Sequence, residues 1–161
     1  MLRSLGVIFL VIFMVSCDKK TVKSDYSPTQ NGRWNKDSVA KFSFQELDTL
    51  QKYNMFINLR NDGTYPYSNL FLIAELRFPS GDVVRDTLEY EMAKPDGQWL
   101  GTGYGSLMEN KLWYKENVVF PSSGVYTLEI SHAMRKNGQV DGIVELEGIT
   151  DVGYLIEKSN Q

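Results

Sequence analysis

The chain has 161 residues, 42% of them hydrophobic and 23% charged, a balance that belongs to a folded globular domain and excludes a disordered one. Its 17 basic and 20 acidic side chains give a net charge of −3, which argues against a polyanion-binding surface, so nucleic acid is not an expected partner. A single cysteine excludes an intrachain disulfide and a thiolate metal cage, so stability rests on packing and no cofactor is expected.

Arg3 is followed by the apolar run Leu5 to Val15 and then Ser16 and Cys17. A positive start, a short apolar core and a small residue before the cut describe a secretory signal peptide over residues 1–16 rather than a membrane span. The residue after the cut is cysteine, so Met14-Val15-Ser16-Cys17 resembles a bacterial lipobox, although leucine is more usual where Met14 stands. In that reading Cys17 becomes the acylated N-terminus and the lipid attachment residue, and several acyl chains hold the protein on its membrane. Removal of the signal leaves about 145 residues, enough for one domain.

Asp18 to Asn35 is polar and holds Pro28, Asn31 and Gly32, which predicts a flexible tether over 17–33 ahead of a domain at 34–158 and a tail at 159–161. Asp18-Lys19-Lys20 lacks the acidic run that directs some lipoproteins outward, so a periplasm-facing position is expected.

Beyond Trp34 the period is two. Ala40, Phe42 and Phe44 alternate with Lys41 and Ser43, and Tyr53, Met55, Ile57 and Leu59 alternate with Asn54, Asn58 and Arg60, each pattern predicting a strand with one buried face. Leu70 to Phe78 reads as a central strand, with Phe71 and Ile73 on the side opposite Leu70, Leu72, Ala74 and Leu76. Pro79-Ser80-Gly81-Asp82 predicts a hairpin into the segment carrying Val84, Leu88, Tyr90 and Met92. The glycines between Ala93 and Gly105 predict a long loop bearing Trp99 and Tyr104, and two shorter strands follow near Met108–Tyr114 and Asn117–Phe120. Tyr126 to His132 alternates again, Lys136-Asn137-Gly138 makes a turn, and Val152, Tyr154 and Ile156 predict a last strand. Regular strands without a helical period predict an all-β domain, an antiparallel β-sandwich of jelly-roll or Greek-key type.

Several strings along this chain carry a resemblance. Leu59-Arg60-Asn61, Tyr65-Pro66-Tyr67-Ser68-Asn69-Leu70, Asp86-Thr87-Leu88, Gly97-Gln98-Trp99-Leu100-Gly101, Ala133-Met134-Arg135 and Gly148-Ile149-Thr150-Asp151-Val152-Gly153, in this order behind a lipobox, resemble the gliding motility lipoprotein GldH family of the Bacteroidetes. The resemblance implies an envelope lipoprotein needed for gliding in members that glide, linked to chitin use through the same secretion and motility apparatus, with envelope proteins as partners. It implies no known reaction, and only the lipid-bearing cysteine carries over, onto Cys17.

Catalytic arrangements are not expected. His132 is the only histidine and lacks the turn context of a nucleophilic serine, and a metal site based on histidine needs a second one. Glu89 with Glu91 and Glu145 with Glu147 share a sheet face in pairs, which reads as a wet face before it reads as a glycosidase pair. Asp82, Asp96 and Asp151 beside glycines suit turns as well as calcium. Tyr65, Tyr67, Trp99, Tyr104 and Trp113 fall in or beside connections, where rings stack on a sugar, anchor a protein partner or cap the open end of the core. The expectation is a non-enzymatic accessory protein that acts by protein contacts, with a carbohydrate-binding lipoprotein as the alternative.

Overall fold

Alternation of buried and exposed residues is the organising rule of the fold. The computed structural model describes residues 20–160, and these form eleven strands and no helix. Strands β1 (Thr21–Pro28), β4 (Lys52–Asn61), β7 (Thr102–Tyr104), β8 (Leu107–Val119) and β11 (Ile149–Lys158) make a five-stranded sheet in the order β1-β11-β4-β8-β7. Strands β3 (Ala40–Phe44), β5 (Asn69–Arg77), β6 (Val83–Glu91) and β9 (Tyr126–His132) make a four-stranded sheet in the order β3-β9-β5-β6. A small third ladder joins β2 (Arg33–Asn35) to β10 (Glu145–Glu147). Every pairing is antiparallel.

The two larger sheets pack face to face as a sandwich. Phe42 and Phe44 of β3 meet Tyr154 of β11 at 5.2 and 5.5 Å between ring centroids, and Phe120 sits against Phe44, Tyr53 and Tyr126. Phe42, Phe44, Met55, Ile57, Leu59, Leu70, Leu72, Leu76, Leu128 and Ile130, the inward parities of the predicted strands, are all 0–4% exposed. Leu72 stands opposite Leu88 on one side and His132 on the other, so β5 is the central strand its sequence predicts.

Three boundaries differ from the sequence reading. Thr21–Pro28, expected within the tether, is edge strand β1, paired with β11 from Thr21 opposite Glu157 to Pro28 opposite Asp151. Its inward parity carries Lys23, Asp25 and Ser27 at the open side of the sandwich, so the apolar alternation that marks a half-buried strand is missing. The ladder extends past it, since Thr29 N donates to Thr150 O at 2.9 Å, and Arg33, also placed in the tether, pairs with Glu147. The two short strands expected near 108–114 and 117–120 are one strand, β8, whose irregularity opposite Met55 is absorbed by a left-handed Asn117 at φ +53°. Asn54 Oδ1 accepts from Asn117 N at 3.0 Å and fixes that bend. The loop expected from Ala93 to Gly105 ends in β7, which turns back onto β8 with Tyr104 opposite Leu107.

The sandwich therefore has two ends. At the entry end β1, β4, β6 and β9 begin and β3, β5, β8 and β11 finish; the far end gathers the 62–68, 92–101 and 133–144 connections. At the far end the 62–68 connection and the β10–β11 turn meet, with Asp62 N donating to Gly148 O at 2.9 Å and Gly148 N to Gly32 O at 2.8 Å. Cys17 and the signal segment lie outside the described residues.

Candidate functional site

The 62–68 connection folds around Asp62, whose Oδ1 accepts from Thr64 N at 2.8 Å and from Thr64 Oγ1 at 2.6 Å. This asparagine-like turn swings Tyr65 back under the far end of the sandwich. Tyr65 is 3% exposed and its hydroxyl donates to Asn69 O at 2.6 Å. Burial, with Tyr67 adding to it, pushes its phenol well above the usual tyrosine range. Tyr65, expected among the contact rings, is thus a strut of the core.

Tyr67 packs edge-on against Tyr65 at 5.8 Å and Trp99 lies tilted against it at 6.2 Å. Trp99 is carried by a tight turn in which Lys94 N donates to Gln98 O at 2.8 Å and Gln98 N donates to Asp96 Oδ1 at 3.0 Å. A bridge from Trp99 to Ala93 returns the loop to the end of β6. Both Tyr67 and Trp99 are half-buried against the core, so three of the five predicted rings form one cap at the far end. The other two stand apart. Tyr104 is fully exposed in the β7–β8 hairpin, and Trp113, 55% exposed, lies on the outer face of β8 at 4.4 Å from Phe56.

Next to the aromatic cap an open groove of about 660 Å³ crosses the outer face of the four-stranded sheet. Phe71 and Ile73 form its floor, Tyr67, Asn69 and Thr87 one side, and Ala133, Met134 and Arg135 the other. The apolar floor follows from the sequence of β5, which puts Phe71 and Ile73 at the outward positions where an exposed face is ordinarily polar. Met134 is seated by the backbone, with Ala133 N donating to Phe71 O at 2.8 Å and Phe71 N reaching Met134 Sδ at 3.2 Å. Arg135 is exposed and forms no ion pair among the described residues. The groove can take apolar side chains and place a carboxylate on the Arg135 guanidinium.

The outer face of the five-stranded sheet carries a second constellation that the sequence reading missed. Tyr26 of β1 lies flat over Gly153, where a side-chain carbon would stand 2.7 Å from its ring, and its hydroxyl donates to Glu109 Oε1 at 2.5 Å. The Arg60 guanidinium covers the same ring at 4.1 Å, and Lys111 Nζ sits 4.2 Å over Phe56. Burial first, and then Glu109, pushes the Tyr26 phenol up to about 12. Tyr26, Glu109 and Arg60 satisfy one another, while Trp113 stands exposed on the same face.

The carboxylate pairs are solvated: Glu89 and Glu91 are exposed on β6, Glu145 accepts from Asn35 Nδ2, and Glu147 faces Arg33 at 3.6 Å. No three acidic, histidine or cysteine side chains converge as metal ligands among the described residues. His132 is buried between Trp34 and the core, with Nε2 donating to Trp34 O at 3.0 Å and the rings 5.3 Å apart.

Burial holds the His132 imidazole below its ordinary pKa, against the opposing pull of the Trp34 carbonyl and Glu145. The unfolded ring protonates near about 6.5, so a proton favours the unfolded chain. Stability is whole above that value and falls as pH drops through it toward the folded pKa. The melting temperature is expected to decline between about pH 7.5 and 5.5, with a flatter profile in His132→Phe. An equal slope in both proteins would assign the pH dependence to other groups.

The family described as GldH lipoprotein matches residues 21–156 of this chain. A protein of Christiangramia forsetii named gliding motility lipoprotein GldH homolog is 56% identical over 153 residues, covering 95% of this chain and 93% of its own. Gliding motility lipoprotein GldH of Flavobacterium johnsoniae is 45% identical over 160 residues, covering 99% of each chain. Among solved structures, the VP2 subviral particle of infectious bursal disease virus aligns at a TM-score of 0.37 and 19% identity, over 98% of this chain and 37% of that one.

Proposed function

The chain belongs to the GldH lipoprotein family, and on that footing we propose that it is a lipid-anchored envelope protein that supports gliding motility through protein contacts rather than through a reaction. Cys17 carries the acyl chains, the domain faces the periplasm, and the groove at the far end receives an envelope partner. The observation that carries this reading is the extent of the family match, which runs from the first residue of β1 into β11 and so takes in the whole sandwich. The far-end groove adds the chemistry of a contact site: an apolar floor of Phe71 and Ile73, a methionine wall and an arginine at the rim. Arginine beside apolar anchors is a common source of binding energy.

Two variants test the two halves of the reading. Cys17→Ser removes the acceptor sulfur, and the protein is expected to lose incorporation of labelled fatty acid, detergent partition and support of gliding. A variant that still takes up label, or that glides normally without its anchor, contradicts the tethered role. Ile73→Ser combined with Arg135→Glu alters only outward side chains, so thermal stability should change by no more than about 1 kcal/mol. The same strain should lose gliding and co-purification with its envelope partner after gentle detergent extraction. Normal gliding at wild-type abundance would remove the groove from the proposal.

A further inference from the structure

Where β1 begins decides how close the domain sits to its anchor. Only three residues lie between Cys17 and Thr21, so a link of four residue steps spans no more than about 14 Å even when fully extended. The entry end of the sandwich is thereby held against the membrane to which Cys17 is attached. The chemistry of that end then has one surface to meet.

Three adjacent strands each present a lysine there. Lys158 N donates to Lys20 O at 2.9 Å and Ser159 N donates to Lys52 O at 2.9 Å, so the backbones of Lys20, Lys158 and Lys52 lie on neighbouring strand ends at β1, β11 and β4. With neighbouring strands about 4.8 Å apart, the three span roughly 10 Å. All three are exposed, and Lys52 and Lys158 form no ion pair among the described residues. Of the acids at this end, Glu46 faces Lys23 at 3.7 Å, Glu157 is taken by Lys111 at 2.6 Å, Asp48 turns into its own loop to accept from Leu50 N at 2.9 Å, and Asp82 of the β5–β6 turn accepts from Ser80 Oγ at 2.7 Å; Asp82 and Glu116 are exposed. The turn made by Asp48 holds Leu50 out at 91% exposure beside this row. The far end carries both signs around its connections, with Asp62, Asp96, Asp141, Glu145 and Glu147 beside Arg33, Lys94, Arg135 and Lys136.

We infer that the entry end docks on anionic phospholipid headgroups, with Lys20, Lys52 and Lys158 over the phosphates and Leu50 entering the interface. The inference rests on acylation of Cys17, as proposed above. Acyl chains supply attachment, and the lysine row supplies orientation: it sets the sandwich upright on β1, β4 and β11 and turns the aromatic cap and groove away from the bilayer. Basic side chains beside a lipid anchor act in this way because the negative surface potential extends only about one Debye length from the headgroups.

The test uses the full acylated protein inserted into preformed vesicles of phosphatidylcholine alone or with one third phosphatidylglycerol. A membrane-impermeant amine reagent is applied and each lysine is read by mass spectrometry, with Lys94 and Lys136 at the far end as internal references. Modification of Lys20, Lys52 and Lys158 is expected to fall by about threefold or more on the anionic vesicles, and the protection to fade as salt is raised. Lys52→Glu with Lys158→Glu should abolish the difference without shifting the melting temperature. Equal modification on both kinds of vesicle by a protein that floats with them overturns the inference and leaves the anchor standing. A protein that carries no acyl chain and does not float overturns both.

Discussion

Gly148→Ala is expected to be among the most damaging single substitutions in this chain, costing more than about 4 kcal/mol. Gly148 has φ +84°, and a side-chain carbon there would stand 2.2 Å from the backbone nitrogen of Tyr65 and 2.5 Å from its Cα. Neither backbone can retreat, because Gly148 donates to Gly32 and accepts from Asp62 in the same place. Gly138 provides the comparison: its φ is +78°, yet nothing lies within 4 Å of the added carbon. Gly138→Ala should therefore cost only the left-handed strain, about 1 kcal/mol. Denaturant midpoints at constant slope give both values. Similar losses in the two variants would mean that the approach of Tyr65 to the β10–β11 turn does not constrain the fold.

Leu72→Ala should remove about 2–5 kcal/mol by losing burial and leaving a cavity between the sheets. Leu72 is fully buried at the middle of β5, with hydrogen-bonded neighbours on both sides, so the surrounding strands have little freedom to close the void. The melting temperature should fall on the order of 10 °C. Leu88→Ala, opposite it on edge strand β6 and only half-buried, should cost less. The reverse order would mean that β5 is not the strand around which the four-stranded sheet packs.

The parts of the fold that the sequence made legible are those in which one face is apolar and the other is not. Phe42 with Phe44, and Leu128 with Ile130, alternate with polar residues and lie where that alternation puts them, whereas β4, expected to bury one face, is covered on both, with Phe56 and Asn58 buried between Met55, Ile57 and Leu59. β1 was not legible because its inward parity is polar, and β8 read as two strands because the bend at Asn117 interrupts the period. At the candidate site, rings in connections left cap and contact both open. The structure divides them: Tyr65 is held inside by Asn69 O, Tyr67 and Trp99 cover it, and Tyr104 and Trp113 lie elsewhere. The groove did have a signal, since Phe71 and Ile73 already stood on the outward parity of β5. Met134 and Arg135, more than sixty residues away in sequence, could be joined to them only by the pairing of β5 with β9.

Edge placement of β1 also has a mechanical consequence. Tension on the N-terminus, directed away from the entry end, runs along β1 and parallel to its ladder with β11. The bonds from Lys20 O through Thr29 N, joined by Thr29 Oγ1 to Ile149 O at 2.6 Å, are then loaded in shear and share the force together. A pull at right angles to the strand would instead open them in succession, like a zip. Rupture under load is governed by the unfolding barrier rather than by equilibrium stability. A domain loaded through its first strand in this geometry resists force best along the axis of that strand.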